Sequence, residues 1–314
     1  PIRNEVNMTF EEIIEAKGRK IALIDLDMAY SPQRKAFPNL ALMKLSAWYK
    51  KQGNDVSLNF PLKGTDLIFA SCVFTWHKPK ELAPIIQYGG SGLGNYDIVL
   101  PPEIEHIMPD YTLYDMNWSM GYCTRGCIRN CWFCKVRLKE DYLQAWAHPS
   151  EFYDAHFDKM ILLDNNILPA ENCLDVFKWL IEKRLLTDFN QGLDIRYLND
   201  ERWYYLKQIR VKNYRFAFDD MSYEKAVRQG LDLMLGSGIS PSKLSFYVLV
   251  GGKEEDQAIE RMKLLQSYGV DVYPMIYKDD TGKELKVNYN FDETIKFHGA
   301  RGNLRKFLRI AGRI

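Results

Sequence analysis

Short apolar runs alternate with helix-like stretches along most of this chain, and this alternation constrains the fold more than any other feature of the sequence. Strands separated by helices are typical of α/β proteins with parallel sheets. One run, 245–250, is almost entirely apolar or aromatic, as expected of a strand buried on both faces. The runs expected to form strands are 21–25, 56–59, 66–73, 85–88, 98–100, 117–121, 159–164, 188–192, 214–218, 243–250 and 271–277.

A stretch with three prolines, 101–116, interrupts the alternation, and we predict an interdomain linker there. The chain before it, 1–105, is predicted to form a doubly wound, Rossmann-like α/β domain. The six runs within 106–280 are too few to close an eight-stranded barrel, so they predict a partial (β/α)6 barrel of the TIM type. The basic tail, 281–314, is interpreted as a solvated amphipathic helix in preference to a nucleic-acid contact.

The charge balance and the lack of long apolar runs narrow the class of protein further. The 314 residues include 42 basic and 41 acidic side chains, so the formal net charge is only +1. This balance argues against a chain dominated by attraction to polyanions. No apolar run approaches the roughly 20 residues needed to span a bilayer, and the first residues lack the apolar core of a signal peptide. We therefore expect a cytoplasmic protein with no membrane partner.

Cysteines are clustered in one short segment. Four of the six, Cys123, Cys127, Cys131 and Cys134, fall within twelve residues, and the last three have the spacing C-x3-C-x2-C. Clustered cysteines in a reducing compartment usually indicate a metal site. The other two cysteines lie in apolar segments and are expected to be buried thiols. Cys123 lies outside the tight spacing and is interpreted as a structural thiol.

The spacing favours an iron–sulfur cluster over the other kinds of metal site. Four-iron, four-sulfur (4Fe-4S) clusters are normally held by four thiolates, so three thiolates leave one iron open to a small molecule. A zinc site would need two close cysteine pairs separated by a longer spacer. A ferredoxin-type electron carrier would show C-x2-C-x2-C with a distant fourth cysteine. Zinc and a plain electron carrier stay as less favoured alternatives.

The C-x3-C-x2-C loop, with Phe133 just before its last cysteine and a parallel barrel after it, resembles the radical S-adenosylmethionine (SAM) superfamily. The resemblance covers 111–277. It implies that Cys127, Cys131 and Cys134 hold the cluster, that the open iron chelates the amino and carboxylate groups of SAM, and that Phe133 lies beside the adenine.

Polar residues and glycines at the ends of the later strands supply further candidates, because ligands collect at the carboxyl ends of parallel strands. The resemblance implies that Asp164 takes the place of a glycine-glycine-glutamate element that contacts the SAM amino group. It also implies ribose and carboxylate contacts, a close approach of backbone to adenine, and a residue facing substrate. The candidates for the ribose and carboxylate contacts are Gln191, Asp194 and Arg196. Gly251 is the candidate for the close approach to adenine, and Asp219 is the one expected to face substrate.

The first domain resembles, more weakly, the cobalamin-binding domains that precede the barrel in one branch of the superfamily. The similar stretch runs from 37–45 through 53–56. The Asp-x-His-x-x-Gly element that supplies a cobalt ligand in many of those domains is missing. Asp27, not a histidine, stands two residues after Asp25, and His77 lies beyond a different strand. A cobalamin-dependent radical SAM methyltransferase is therefore the alternative, and a non-catalytic iron–sulfur or zinc protein is the second alternative.

The leading prediction is an enzyme that cleaves SAM reductively to a 5′-deoxyadenosyl radical, which abstracts hydrogen from a substrate. The electron would come from an external low-potential donor such as flavodoxin or ferredoxin. The sequence singles out no class of substrate.

Overall fold

The computed structural model describes residues 17–29, 37–251 and 255–277. In these ranges the chain is a mixed α/β protein with parallel sheets, as predicted from the alternation. It divides into two compact units, the first made of the residues up to Met120 together with Ser150–Phe157. The basic tail lies outside the described residues. No helix in the described ranges is long and apolar enough to cross a membrane.

The first unit is built on one parallel sheet with the strand order β2-β1-β3-β4. Its core packs the central strand β1 against helix α2. The strands are β1 (Lys20–Asp25), β2 (Asp55–Leu58), β3 (Leu67–Ser71) and β4 (Ile86–Gly89), and the helices are α1 (Leu26–Ala29), α2 (Leu40–Lys51) and α3 (Pro102–Glu105).

The sequence of helix α2 explains where the helix begins, which face is buried and where it ends. The Asn39 side chain caps its first turn by accepting a hydrogen bond from the backbone N–H of Leu42. Leu42, Leu45 and Tyr49 recur at helical spacing and are buried against the sheet. The chain then turns at Gly53, where φ is +81°. This helix lies between the first two predicted strands, as the alternation of strands and helices leads one to expect.

The prolines of 101–116 do not mark a linker. Pro102 lies in the first turn of α3, where a missing N–H costs nothing, and Ile104 is completely buried in the core of the first unit. The buried Tyr111 hydroxyl donates to the carbonyls of Met120 and Phe152. The predicted linker is wrong, because Ile104 lies in the core of the first unit and Leu113 packs against that core.

The strand predicted over 98–100 is also wrong. These residues form no regular structure, and the Val99 side chain is 73% exposed. Two prolines follow directly, and proline has no N–H to donate to a sheet.

The second unit contains two parallel sheets and a small antiparallel pair of strands. Its helices are α4 (Val136–Glu140), α5 (Cys173–Lys183), α6 (Asp200–Leu206), α7 (Glu224–Gly236) and α8 (Glu255–Ser267). Its strands are β5 (Ser119–Gly121), which spans the boundary between the units in the chain, β6 (Thr124–Arg125), β7 (Gln144–Ala145), β8 (Lys159–Leu162), β9 (Leu186–Phe189), β10 (Arg210–Val211), β11 (Tyr214–Ala217), β12 (Leu244–Val250) and β13 (Asp271–Ile276).

The two larger sheets of this unit follow one another in chain order. Their strand orders are β10-β9-β8-β5 and β11-β12-β13, and β6 pairs with β7. An isolated parallel bridge between Leu193 and Phe216 links the two sheets, and only two residues separate β10 from β11. No closed barrel forms within the ranges that the structure describes.

The sheet β11-β12-β13 has two different faces. Along β12 the side chains alternate between buried and half-buried, with Phe246 and Val248 on the buried face and Tyr247 on the other. Helix α8 packs on β12 and β13. The prediction that this strand is buried on both faces is therefore wrong, because tyrosine and leucine side chains occupy the face that is only half covered.

Candidate functional site

The three cysteines lie in one loop, residues 126–135, between β6 and α4. Gly126 begins this cysteine loop with φ at +76°, and a Cβ atom there would lie 2.2 Å from the carbonyl oxygen of Tyr142. Only glycine fits such a position. The Gly126 N–H donates to Glu140 Oε2 at 3.0 Å, and the Cys127 N–H donates to the Asp141 carbonyl at 3.4 Å. The start of the loop is thus fastened to the end of α4 and to the residue that follows it.

The three thiols are half-buried and free of disulfide bonds. The Cys134 N–H donates to the Cys131 carbonyl at 3.0 Å, which forms a tight turn between them. Burial raises the pKa of both these thiols, and so does the negative charge of the neighbouring thiolates, including Cys127. The three sulfur atoms therefore form one electrostatically coupled group.

Among the described residues, no group of three or more His, Cys, Asp or Glu side chains converges closely enough to hold one metal ion. A single zinc ion needs all its ligands within about 2.0–2.3 Å of one point. A 4Fe-4S cluster takes its thiolates on separate iron atoms.

The sulfur of Cys127 is tied to the residues that follow β8 and β9. It accepts hydrogen bonds from the Arg129 backbone N–H at 3.3 Å and from Asn166 Nδ2 at 3.5 Å. The same Asn166 nitrogen donates to Asp194 Oδ2 at 3.3 Å. The sequence singled out Asp194 and also Asn166 as polar residues at strand ends, and the structure links Asp194 to the Cys127 sulfur through Asn166.

Asp194 is the centre of a charged network. Its carboxylate accepts from Arg196 Nε at 2.6 Å and Nη2 at 2.9 Å, and from Arg129 Nε at 3.3 Å. Each guanidinium also lies over an aromatic ring, Arg196 over Tyr223 at 4.3 Å and Arg129 over Tyr197 at 5.2 Å. Because Arg129 belongs to the cysteine loop, this network joins the loop to the carboxyl end of β9.

Asp164 fastens the strand that leads into the cysteine loop. Its Oδ1 accepts from the backbone N–H of Cys123 at 3.0 Å and from the Thr124 hydroxyl at 2.6 Å. Its Oδ2 is buried with no hydrogen-bond partner among the described residues, and so is Asn166 Oδ1. Burial raises the pKa of Asp164 to about 6. One oxygen is therefore committed to the fold, and the other is an unsatisfied acceptor.

Aromatic side chains connect the cysteine loop to the last described strand. Phe133 meets Trp132 edge-on with ring centroids 5.5 Å apart, and Trp132 packs against Tyr277 at 5.3 Å. Tyr277 directly follows β13, and its N–H donates to the Val250 carbonyl at the end of β12. The sequence predicted Phe133 but missed Trp132, whose place within the motif was the available signal.

The remaining predicted residues differ in how they relate to this site. Gln191 is exposed, and no hydrogen bond ties its side chain to the network among the described residues. Gly251 follows β12 with φ at +81°, and the residues 252–254 after it lie outside the described ranges. Asp219 follows β11 and accepts from the Leu249 N–H at 2.8 Å, and its charge acts on Cys131 and Cys134. Burial raises the pKa of Asp219 to about 6.

The other three cysteines are fully buried, as predicted for Cys72 and Cys173, whereas Cys123 was expected to be only partly buried. Cys123 is held on both sides of its peptide, because its N–H donates to Asp164 and its carbonyl accepts from Trp146 and Asn172. Burial raises the pKa of Cys72 to about 11 and that of Cys173 to about 12.

In the first unit, a histidine lies at the carboxyl end of the sheet although the sequence element expected for one is missing. His77 Nδ1 lies 2.8 Å from Asp27 Oδ1, and Asp27 also accepts from the Val73 N–H at 2.7 Å. Asp27 follows β1 and His77 follows β3. These strands are neighbours at the point where the strand order reverses, which is where open α/β sheets bind ligands.

No protein-family model matches this chain, and no curated protein matches it. The geometry of the site therefore carries the functional argument.

Proposed function

We propose that this chain is a radical SAM enzyme that holds an open-site 4Fe-4S cluster on Cys127, Cys131 and Cys134. The observation that carries the proposal is the group of three free, half-buried thiols in one loop whose charges act on one another. The nearest further cysteine, Cys123, is fully buried and its peptide is fixed by hydrogen bonds on both sides. Using Cys123 as a fourth ligand would require breaking these backbone hydrogen bonds.

The architecture proposed for the second unit is a partial parallel barrel. The strands follow chain order, the Leu193–Phe216 bridge links the two sheets, and Trp132 from the first loop contacts Tyr277 after the last strand. Curling of the sheets would bring these ends together. For the first unit we propose a doubly wound, Rossmann-like domain, which the order β2-β1-β3-β4 supports.

Two buried acceptors next to the cysteine loop support binding of a molecule with N–H groups. Asp164 Oδ2 and Asn166 Oδ1 lack partners, and an unsatisfied buried acceptor costs about 1–3 kcal/mol. An ammonium group, such as that of SAM, would supply the missing donors. This agrees with the role that the resemblance implies for Asp164.

Held by Cys127, Cys131 and Cys134, a cluster of this kind would supply the electron that cleaves the sulfonium of SAM to methionine and a 5′-deoxyadenosyl radical, which would take hydrogen from a substrate. The electron comes from an external low-potential donor such as flavodoxin or ferredoxin. The chain itself positions the loop through the ion pair of Arg129 with Asp194 and through the packing of Trp132 against Tyr277.

The test is anaerobic reconstitution with iron and sulfide, reduction, and an assay for 5′-deoxyadenosine. We expect product from the wild-type protein and none from a Cys131→Ala variant, because that variant loses a cluster ligand. The matched Cys123→Ala variant is expected to retain activity. Metal binding without SAM cleavage would refute the proposal and favour the non-catalytic iron–sulfur or zinc protein.

A second candidate is a cobalamin-dependent radical SAM methyltransferase, favoured by the His77–Asp27 pair. Histidines that bind metals usually have one ring nitrogen held by a carboxylate or carbonyl group. Retention of a corrinoid absorbance by the wild-type protein, and its loss in a His77→Ala variant, would support this candidate. Absence of corrinoid binding by the wild-type protein would exclude it.

A further inference from the structure

Two N–H groups point at one of the three sulfur atoms. Cys127 Sγ accepts from the Arg129 backbone N–H at 3.3 Å and from the Asn166 side-chain amide at 3.5 Å. The first donor belongs to the cysteine loop itself. The second comes from a separate element, because Asn166 follows β8, 39 residues further along the chain. A side chain outside the C-x3-C-x2-C motif therefore acts directly on a proposed cluster ligand.

The orientation of the Asn166 amide is fixed by its other neighbour. Its Nδ2 also donates to Asp194 Oδ2 at 3.3 Å. If the amide were turned over, its oxygen would face the carboxylate and repel it. Asp194 is held in turn by two hydrogen bonds from Arg196 and one from Arg129. The buried Asn166 side chain thus presents a nitrogen, and not an oxygen, to the sulfur.

We infer that Asn166 is a positioning residue that sets the reduction potential of the cluster through its hydrogen bond to Cys127. This inference rests on the proposed function. Hydrogen bonds to the sulfur atoms are one of the factors that set the potential of an iron–sulfur cluster. An N–H group stabilises negative charge on sulfur, and the reduced cluster carries more of it. The Asn166 amide therefore raises the reduction potential of the cluster, and the Asp194 network keeps the amide in place.

The experiment compares reduction potentials of clusters reconstituted without SAM in the wild-type protein and three variants, by redox titration followed with electron paramagnetic resonance. Asn166→Leu keeps a similar shape and removes the donor, so we expect a more negative potential. Asn165→Leu is the matched control, because the Asn165 amide donates to Glu140 Oε2 at 2.8 Å and not to a sulfur. Its potential is expected to equal that of the wild-type protein. Asn166→Ala, which removes the donor with less bulk, is expected to shift in the same direction.

Equal potentials in the wild-type protein and either Asn166 variant, at equal iron content, would overturn the inference and leave the proposed function intact. A shift of the same size in Asn165→Leu would also overturn it, because the effect would then not be specific to the hydrogen bond. If both Asn166 variants lost their iron while Asn165→Leu kept it, the residue would be required for assembly and not for tuning. Failure of the wild-type protein to take up a cluster would overturn the inference and the proposed function together.

Discussion

At the scale of single residues, Asp164 shows how a buried carboxylate can serve the site without touching a sulfur. Its Oδ1 holds the backbone of Cys123 and the hydroxyl of Thr124, which fixes the entry to the cysteine loop. The cost of this arrangement is a buried negative charge whose second oxygen has no partner. Asp164 therefore links the stability of the second unit to pH.

Replacing Asp164 with asparagine should weaken the pH dependence of stability. Burial raises the pKa of this carboxyl from 3.8 to about 6 in the folded chain. Between these values the folded state binds a proton that the unfolded state releases, so stability is lost as pH rises from about 4 to 6. A shift of this size corresponds to about 3 kcal/mol. Urea unfolding of the metal-free protein at several pH values measures this change in the free energy of unfolding.

In Asp164→Asn we expect this contribution to disappear, and the remaining slope to reflect the other carboxyls with shifted pKa values, among them Asp219 and Asp25, whose pKa values are raised in the same direction. Asp175→Asn, at an exposed position on α5, serves as the control and should keep the wild-type slope. An unchanged slope in Asp164→Asn would show that this carboxyl titrates normally.

The sequence identified the cysteines of the site but not the contacts that tie them together. Cysteine spacing is a local pattern, so Cys127, Cys131 and Cys134 could be read directly from it. The hydrogen bond between Cys127 and Asn166 depends on which strand ends meet, and a single sequence does not state that. Asp194 and Arg196 were found because they follow a strand, and Gln191 was chosen for the same reason although its side chain points into solvent.

At the scale of elements, the cysteine loop depends on its first residue. Gly126 combines a positive φ with close contact to the Tyr142 carbonyl, and its N–H donates to Glu140. The loop is thus closed on itself before any metal binds. The sequence predicted where this loop lies, but not that the small β6–β7 pair and α4 would hold its two ends.

A Gly126→Ala substitution should destabilise the second unit and prevent cluster uptake. The added Cβ would meet a carbonyl oxygen at 2.2 Å, so the backbone must move, in addition to about 1–2 kcal/mol for a left-handed alanine. The free energy of unfolding and the iron content after reconstitution measure these effects. Gly238→Ala is the matched control, because φ there is +89° and a Cβ would meet nothing within 4 Å.

Gly238→Ala should lose only the stability that a left-handed alanine costs, and it should keep its iron. Equal effects in the two variants would mean that the close contact at Gly126 is unimportant.

The strand predictions are confirmed where apolar side chains occur on a backbone that can continue the hydrogen bonds of a sheet. The runs that became β1, β8 and β12 satisfy both conditions. The run 98–100 satisfies only the first, because the two prolines that follow it directly have no N–H to donate to a sheet. Hydropathy alone also could not separate the two faces of β12, since the half-buried face is lined by leucine and tyrosine.

At the scale of the whole molecule, the division of the chain was the hardest feature to predict. The first unit continues to Met120 and takes up Ser150–Phe157, whereas the sequence suggested a boundary near 105. Prolines drew attention to 101–116, but burial of Ile104 and the Tyr111 hydrogen bond to the Phe152 carbonyl place that segment in the unit. Such long-range contacts leave no local signal in the sequence.

Truncating Ile104 to alanine should therefore destabilise the first unit by about 2–5 kcal/mol, the usual cost for a fully buried isoleucine. The neighbouring Val99 is 73% exposed, and Val99→Ala should change stability by less than about 0.5 kcal/mol. Denaturant unfolding of the full chain measures both variants. Equal small losses would restore the linker interpretation.

The proposed function requires that three thiolates leave one iron of the cluster open to SAM. Mössbauer spectroscopy of the anaerobically reconstituted protein, recorded with and without SAM, tests it most directly. We predict that one iron of the cluster changes its signal when SAM is added while the others keep theirs. An identical spectrum in both samples, or a protein that takes up zinc and no iron–sulfur cluster, would contradict the claim.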